Sequence, residues 1–186
     1  MIIYIINQYA LNTDVGDGSK HYYLSKELVR MGHKVYLVST SYTHFVHSPS
    51  HQKENVCIKL TDGINQVYIK TLRYKKTTSI KRVINWFLFA YRVSSLYKFI
   101  SNTPNLIITS SPPPFVFFGA YHLAKKLKAK LFFEIRDFWP LTLIKFGNYS
   151  AWNPLIILMQ IVESFALKKS DAILSSIPFA HEHKMI

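Results

Sequence analysis

"MIIYIINQYALNTDVGDGSKHYYLSKELVRMGHKVYLVST", residues 1–40, decides the fold. Met1 to Asn7 is apolar almost throughout, as strands covered on both faces are. A polar loop containing Asp14, Gly16, Asp17 and Gly18 follows. Tyr23, Leu24, Leu28 and Met31 then recur at helical spacing, and Gly32 stands where a helix C-terminal cap belongs. "KVYLVST", from Lys34 to Thr40, reads as a second strand. Strand, loop, helix and strand make the opening unit of a doubly wound sheet.

The rest of the chain continues that alternation. Ser41 to Glu54 is polar and rich in His and Ser, and reads as a loop. "NVCIKL" and "INQVYIK" flank Asp62-Gly63, a hairpin-turn signal, which places a β-hairpin near 56–70. Residues 79 to 101 read as one long helix. "NLIITSS" is a buried strand that Pro112-Pro113-Pro114 breaks. A helix from about Phe115 to Lys128 leads to the strand "AKLFFEI". Then come the loop "RDFWP", a helix opened by Asn153-Pro154, and the strand "DAILSS". The expected fold is α/β, a Rossmann-like parallel sheet flanked by helices. With no repeat, low-complexity tract or internal linker, residues 1–186 read as one domain. "SSIPFAHEHKMI" reads as the start of a further loop and helix.

At 186 residues the chain suits one well-buried domain and leaves no room for a second. Hydrophobic residues make up 49% and aromatic ones 15%, which argues against disorder. Lys and Arg number 23 against 10 Asp and Glu, a net charge of +13 that calls for an anionic partner. Nucleic acid, acidic lipid and phosphorylated small molecules all satisfy it. The single Cys57 sits in an alternating apolar run with Val56, Ile58 and Leu60. It excludes an internal disulfide, reads as packing and fits a reducing compartment. The N-terminus has no basic n-region, and no apolar run reaches the ~20 residues of a spanning helix. The expected location is cytoplasmic, resting on the inner membrane face.

Three segments together resemble family-four retaining glycosyltransferases of the GT-B fold, especially bacterial transferases of amino-deoxysugars in surface polysaccharide assembly. They are "GDGSKHYYLSKELVRMGHKVYLVSTSYTH", "ITSSPPPFVFFGAYHLAKKLKAKLFFEIRDFWP" and "SDAILSS". The resemblance covers nearly the whole chain, and the middle segment is the most specific. It implies two Rossmann-like domains facing across a cleft. The N-terminal one holds a lipid-linked or glycan acceptor, and the C-terminal one grips a nucleotide-sugar donor. This chain corresponds to the first alone, without the paired-glutamate motif of the second, so by itself it is expected to be inactive. The family's front-face mechanism needs neither a protein nucleophile in this half nor a cofactor. Two alternatives stay open: a non-catalytic membrane- or glycan-binding module, and half of a nucleotide-sugar 2-epimerase.

Candidate site residues gather on three loops. Gly16, Asp17, Gly18 and Lys20 lie at a helix N-terminus, where backbone N–H groups and the helix dipole favour an anion. The resemblance puts this loop near the donor phosphates, with Lys20 at a basic position; a surface turn with a solvated lysine explains the same residues. The spacing is not the dinucleotide fingerprint, since a third glycine and a ribose-binding acid are lacking. Ser110 and Ser111 end a strand and offer hydroxyl and N–H contacts to an acceptor, or merely reverse the chain. Glu134, Arg136 and Asp137 emerge at the carboxyl end of a strand, where open α/β sheets bind ligands. Glu134 and Asp137 are the catalytic candidates, as orienters of an acceptor hydroxyl or takers of its proton. Many family members carry His-Asp where this chain has Arg136-Asp137, and Arg136 suits a phosphate or carboxylate instead. An Arg–acid pair that only closes the loop is the alternative. No metal is expected: His44, His47 and His51 fall at offsets of three and four, but in a solvated loop.

"KTLRYKKTTSIKRVINWFLFAYRVSSLYKFI", residues 70–100, carries two apolar faces. Ile80, Val83, Ile84, Phe87 and Tyr91 line one; Trp86, Phe89, Val93 and Leu96 line the other. Such a helix is buried on both sides or meets lipid or a partner. Lys75, Lys76, Lys81 and Arg82 beside Trp86 have the composition of an anionic membrane contact. "LIILMQIVESF" reads as a core helix. Nucleic acid is not an expected partner, because there is no recognition helix, RNA-binding strand motif or zinc finger.

Overall fold

A computed structural model describes residues 1–10, 19–42, 54–74 and 79–177. In chain order the elements are β1 (Ile2–Ile6), α1 (Lys20–Arg30), β2 (Lys34–Thr40), β3 (Val56–Thr61), β4 (Ile64–Ile69) and α2 (Ile80–Ser94). A 3-10 turn (Leu96–Lys98) follows, then β5 (Leu106–Ser110), α3 (Val116–Leu127), β6 (Lys130–Ile135), α4 (Leu141–Phe146), α5 (Pro154–Lys169) and β7 (Ala172–Ser175). All seven strands join one sheet in the order β3-β4-β2-β1-β5-β6-β7. Only β3 runs antiparallel, paired with β4 through the turn at Asp62 and Gly63. Both turn residues have positive φ, as a tight hairpin requires. The expected α/β fold with its hairpin is the one observed.

From β1 the chain winds outward through β2 and β4 on one side and through β5, β6 and β7 on the other. The order reverses between β1 and β5, and a sheet of this kind leaves a crevice at the carboxyl ends of those strands. Alternate residues of β1 feed opposite layers. Tyr4 and Ile6 pack under α2, α3 and α5 with Phe89, Val93, Phe117, Leu123 and Ala166. Ile3 and Ile5 pack under α1 with Tyr22, Leu28 and Val29. That two-sided burial is why the strand reads as an unbroken apolar run.

Two contacts fix α2. Its buried Asn85 clamps the backbone of Leu72: Leu72 N–H donates to Oδ1 at 2.8 Å, and Nδ2 donates to Leu72 O at 2.7 Å. Gly119 of α3 meets α2 backbone to backbone, so closely that a Cβ on it would lie 2.1 Å from the Ala90 carbonyl oxygen.

The helices depart from the expectations in three places. The helix expected over 79–101 ends at Ser94. The hydroxyls of Ser94 and Ser95 donate to the carbonyls of Tyr91 and Arg92, competing with the next turn. On α1 the buried side carries His21, Tyr22 and Ser25, while Tyr23, Leu24 and Met31 are exposed. Polar groups hold that buried position because they are bonded there: Ser25 Oγ donates to the His21 carbonyl at 2.6 Å. The short helix α4 is not among the expected elements. The α1 stop is as expected, since Gly32 N–H donates to Val29 O and His33 N–H to Leu28 O around a positive-φ Gly32. So is the start of α5, where Asn153 Oδ1 accepts from Leu155 N–H at 2.9 Å.

Candidate functional site at the carboxyl edge of the sheet

The crevice side of the sheet is built from the ends of β1, β5 and β6 and the first turn of α1. Register places Ser110, the last residue of β5, beside Glu134 near the end of β6. Both are buried, and α1 begins opposite them with Lys20 and His21. Ser110 Oγ donates to Glu134 Oε2 at 2.5 Å, and His21 Nε2 lies 2.7 Å from the same oxygen and 2.9 Å from Ser110 Oγ. Lys20 Nζ donates to Oε1 at 2.5 Å. The glutamate side chain is 6% exposed and the lysine 47%, so the pair spans the boundary between core and solvent.

Burial alone would raise the Glu134 pKa, but the hydrogen bonds from His21, Lys20 and Ser110 and the His21 charge outweigh it. The carboxyl is held well below the usual range. A carboxylate that reluctant to take a proton is a poor general base, and both its oxygens are occupied. Its chemistry is to orient: it fixes the His21 ring and the Lys20 ammonium at the head of α1. His21 faces the carboxylate with Nε2 as a donor. Its Nδ1, fully buried, has no hydrogen-bond partner among the described residues.

Next to this cluster the end of β1 buries two further polar residues, Asn7 and Gln8. Asn7 Oδ1 accepts from Tyr9 N–H at 2.8 Å. Asn7 Nδ2 and Gln8 Oε1 have no partner among the described residues. Buried polar groups are normally paired, so these two unmet atoms at the end of β1 are exceptions.

Of the candidates that the sequence offers for this site, Lys20, Ser110 and Glu134 come together. Ser111 supports them through the backbone: its N–H donates to Glu134 O at 3.0 Å, and its hydroxyl approaches Glu134 O and the Arg136 N–H at 3.5 Å. Arg136 is exposed at the rim. Asp137 is committed locally, accepting from Trp139 Nε1 at 3.0 Å and Thr142 Oγ1 at 2.7 Å, which pins the turn into α4. Gly16, Asp17 and Gly18 lie outside the described residues, as do Lys75, Lys76, His44, His47 and His51.

The sequence alone does not single out His21, Asn7 and Gln8. The one signal for His21 is its i,i+4 spacing with Ser25, two polar residues on the side of α1 that also carries Tyr22. Trp86 requires correction as a surface residue. It is 5% exposed, packs among Phe115, Ile156, Met159 and Val162, and donates its Nε1–H to Tyr9 Oη at 2.9 Å. The face of α2 bearing Trp86, Phe89 and Val93 is the core face, and Arg82 lies over the Trp86 ring. Among the described residues no group of three or more His, Cys, Asp or Glu side chains is placed to hold a metal ion. No helix among them is long and apolar enough to cross a membrane.

No family model matches the chain, and no curated protein matches it in sequence. Among solved structures, the catalytic domain of starch synthase IV from Arabidopsis thaliana, bound to ADP and acarbose, is similar to it at 16% identity and a TM-score of 0.49. The match covers 74% of this chain and 34% of that one, so the chain spans about a third of that catalytic domain.

Proposed function

We propose that this chain is the acceptor-side, N-terminal half of a retaining GT-B glycosyltransferase, which moves a sugar from a nucleotide donor to a lipid-linked or polysaccharide acceptor. The observation that carries the reading is the convergence of Lys20, His21, Ser110 and Glu134 at the carboxyl edge beside the β1/β5 reversal. Two of the three segments that resemble the family supply these four residues. In this reading Glu134 and Ser110 are positioning residues. They hold the head of α1 so that the half-exposed Lys20 ammonium presents positive charge to a phosphate, the task that dominates when a diphosphate leaves. Arg136 at the rim adds a second cation for an acidic acceptor, and the finer assignment is to an amino-deoxysugar transferase of surface polysaccharide synthesis.

The test is a transfer assay on the longest reading frame containing this chain, using a panel of labelled nucleotide sugars and a membrane lipid extract. Label is expected in the lipid or polysaccharide fraction, and Lys20→Ala is expected to lower kcat/KM by at least about tenfold, the loss of one charge-assisted contact. Absence of transfer from every donor, or a Lys20→Ala variant with unchanged kcat/KM, would overturn the reading. The 186-residue chain alone is expected to give no turnover.

A further inference from the structure

The core face of α2 is filled, yet its opposite face is apolar too. Ile80, Ile84, Phe87 and Tyr91 recur along one side of the helix and are exposed. Val83 and Trp86 of α2, Leu143 and Ile144 of α4, and Leu155 and Ile156 of α5 all belong to one cluster beneath them. α2, α4 and the start of α5 therefore meet through one shared cluster. From the α4–α5 turn project the two most exposed aromatic side chains in the described structure, Phe146 at 85% and Trp152 at 86%. Exposed apolar area of this extent, on elements that share one cluster, marks an interaction surface.

Charge selects the occupant. No acidic residue stands between Asp62 and Glu134, a stretch that includes all of α2 and α3, and none between Asp137 and Glu163, which includes α4 and the turn. The cations there include Lys81 at the start of α2 and Lys145 beside Phe146, both exposed. Aromatic side chains projecting from a turn, with lysines alongside and no acid among them, are what an anionic bilayer interface binds. A nucleic acid would draw on the same cations but has no use for Ile80, Ile84 and Phe146.

We infer that the outer face of α2 and the α4–α5 turn form a docking surface for an anionic lipid bilayer, with Phe146 and Trp152 entering the headgroup region. Trp86 takes no part. The inference does not depend on the sugar-transfer reading, because it reads out without donor or acceptor.

The experiment is flotation of the 186-residue chain with vesicles of phosphatidylcholine alone or containing about a third phosphatidylglycerol. The chain should float with the anionic vesicles, less so at high salt, and stay behind with neutral ones. Phe146→Ser with Trp152→Ser should weaken binding by at least about tenfold, the partial burial of two large side chains. Lys81→Glu with Lys145→Glu should weaken it by about tenfold or more. Trp152 emission should shift to the blue on binding; Trp152→Phe should keep the affinity and lose the shift. An unchanged thermal melt shows that the serine variant is folded. Negligible flotation with both vesicles overturns the proposal, and so does full binding by the serine variant. It also falls if size measurements show a dimer that the serine variant dissolves without any vesicle binding, or if the chain binds nucleic acid and not vesicles.

Discussion

Glu134 at the end of β6 and Glu163 in the middle of α5 are the same side chain drawn out of water, and the protein moves them in opposite directions. Three donors meet Glu134, and its carboxyl is held far below the ordinary value of 4.5. Glu163 is half-buried and meets desolvation as the dominant influence, which raises it to about 7. Burial is common to both; the presence of donors decides the sign. The difference separates an acid built into a site from one that a helix merely carries.

The largest effect is expected from removing the partnered carboxylate. Glu134→Ala leaves His21 and Ser110 buried without an acceptor and should cost about 3 kcal/mol, read from denaturant midpoints. A loss below about 0.5 kcal/mol would mean that the cluster is not the anchor of α1. Glu163→Gln should do the reverse, gaining about 1–2 kcal/mol at pH 8, once the shift is discounted for partial solvation, and nothing at pH 4.

The pH dependence of the unmodified chain sharpens the same contrast. Glu134, with its lowered pKa, contributes stability that is present above about pH 4.5 and lost as pH falls through the folded value. Glu163, with its raised pKa, contributes stability that is full below about pH 4.5 and lost as pH rises through about 7. Glu163→Gln should therefore flatten the neutral limb of the stability curve and leave the acid limb alone. Ser110→Ala, which removes one of the donors, should cost about 1 kcal/mol. Asp137→Asn is expected to be the mildest, at about 0.5 kcal/mol, because it weakens a local turn and leaves the cluster whole.

The sheet is legible in the sequence because β-strands buried on both faces announce themselves as apolar runs, and because Asp62-Gly63, Gly32 and Asn153-Pro154 punctuate the chain by stereochemistry. Helix faces are not. On α2 both sides are apolar, so composition has no way to say that Trp86 points inward and Phe87 outward; the elements packed against its inner side decide that. On α1 the buried side is marked by His21 and Ser25, which are polar and enter the interior only because partners more than eighty residues away in sequence await His21. The site is half legible for the same reason. Lys20, Ser110 and Glu134 sit at strand and helix ends, where position alone suggests a role, whereas the local partners of Asp137 depend on a short helix that the sequence does not announce.

Gly119 carries a mechanical consequence. Where two helices touch main chain to main chain there is no cushion of side chains between them to yield, so α2 and α3 are held at one separation. The spacing of the two helices over the sheet is then set by the absence of a single methyl group.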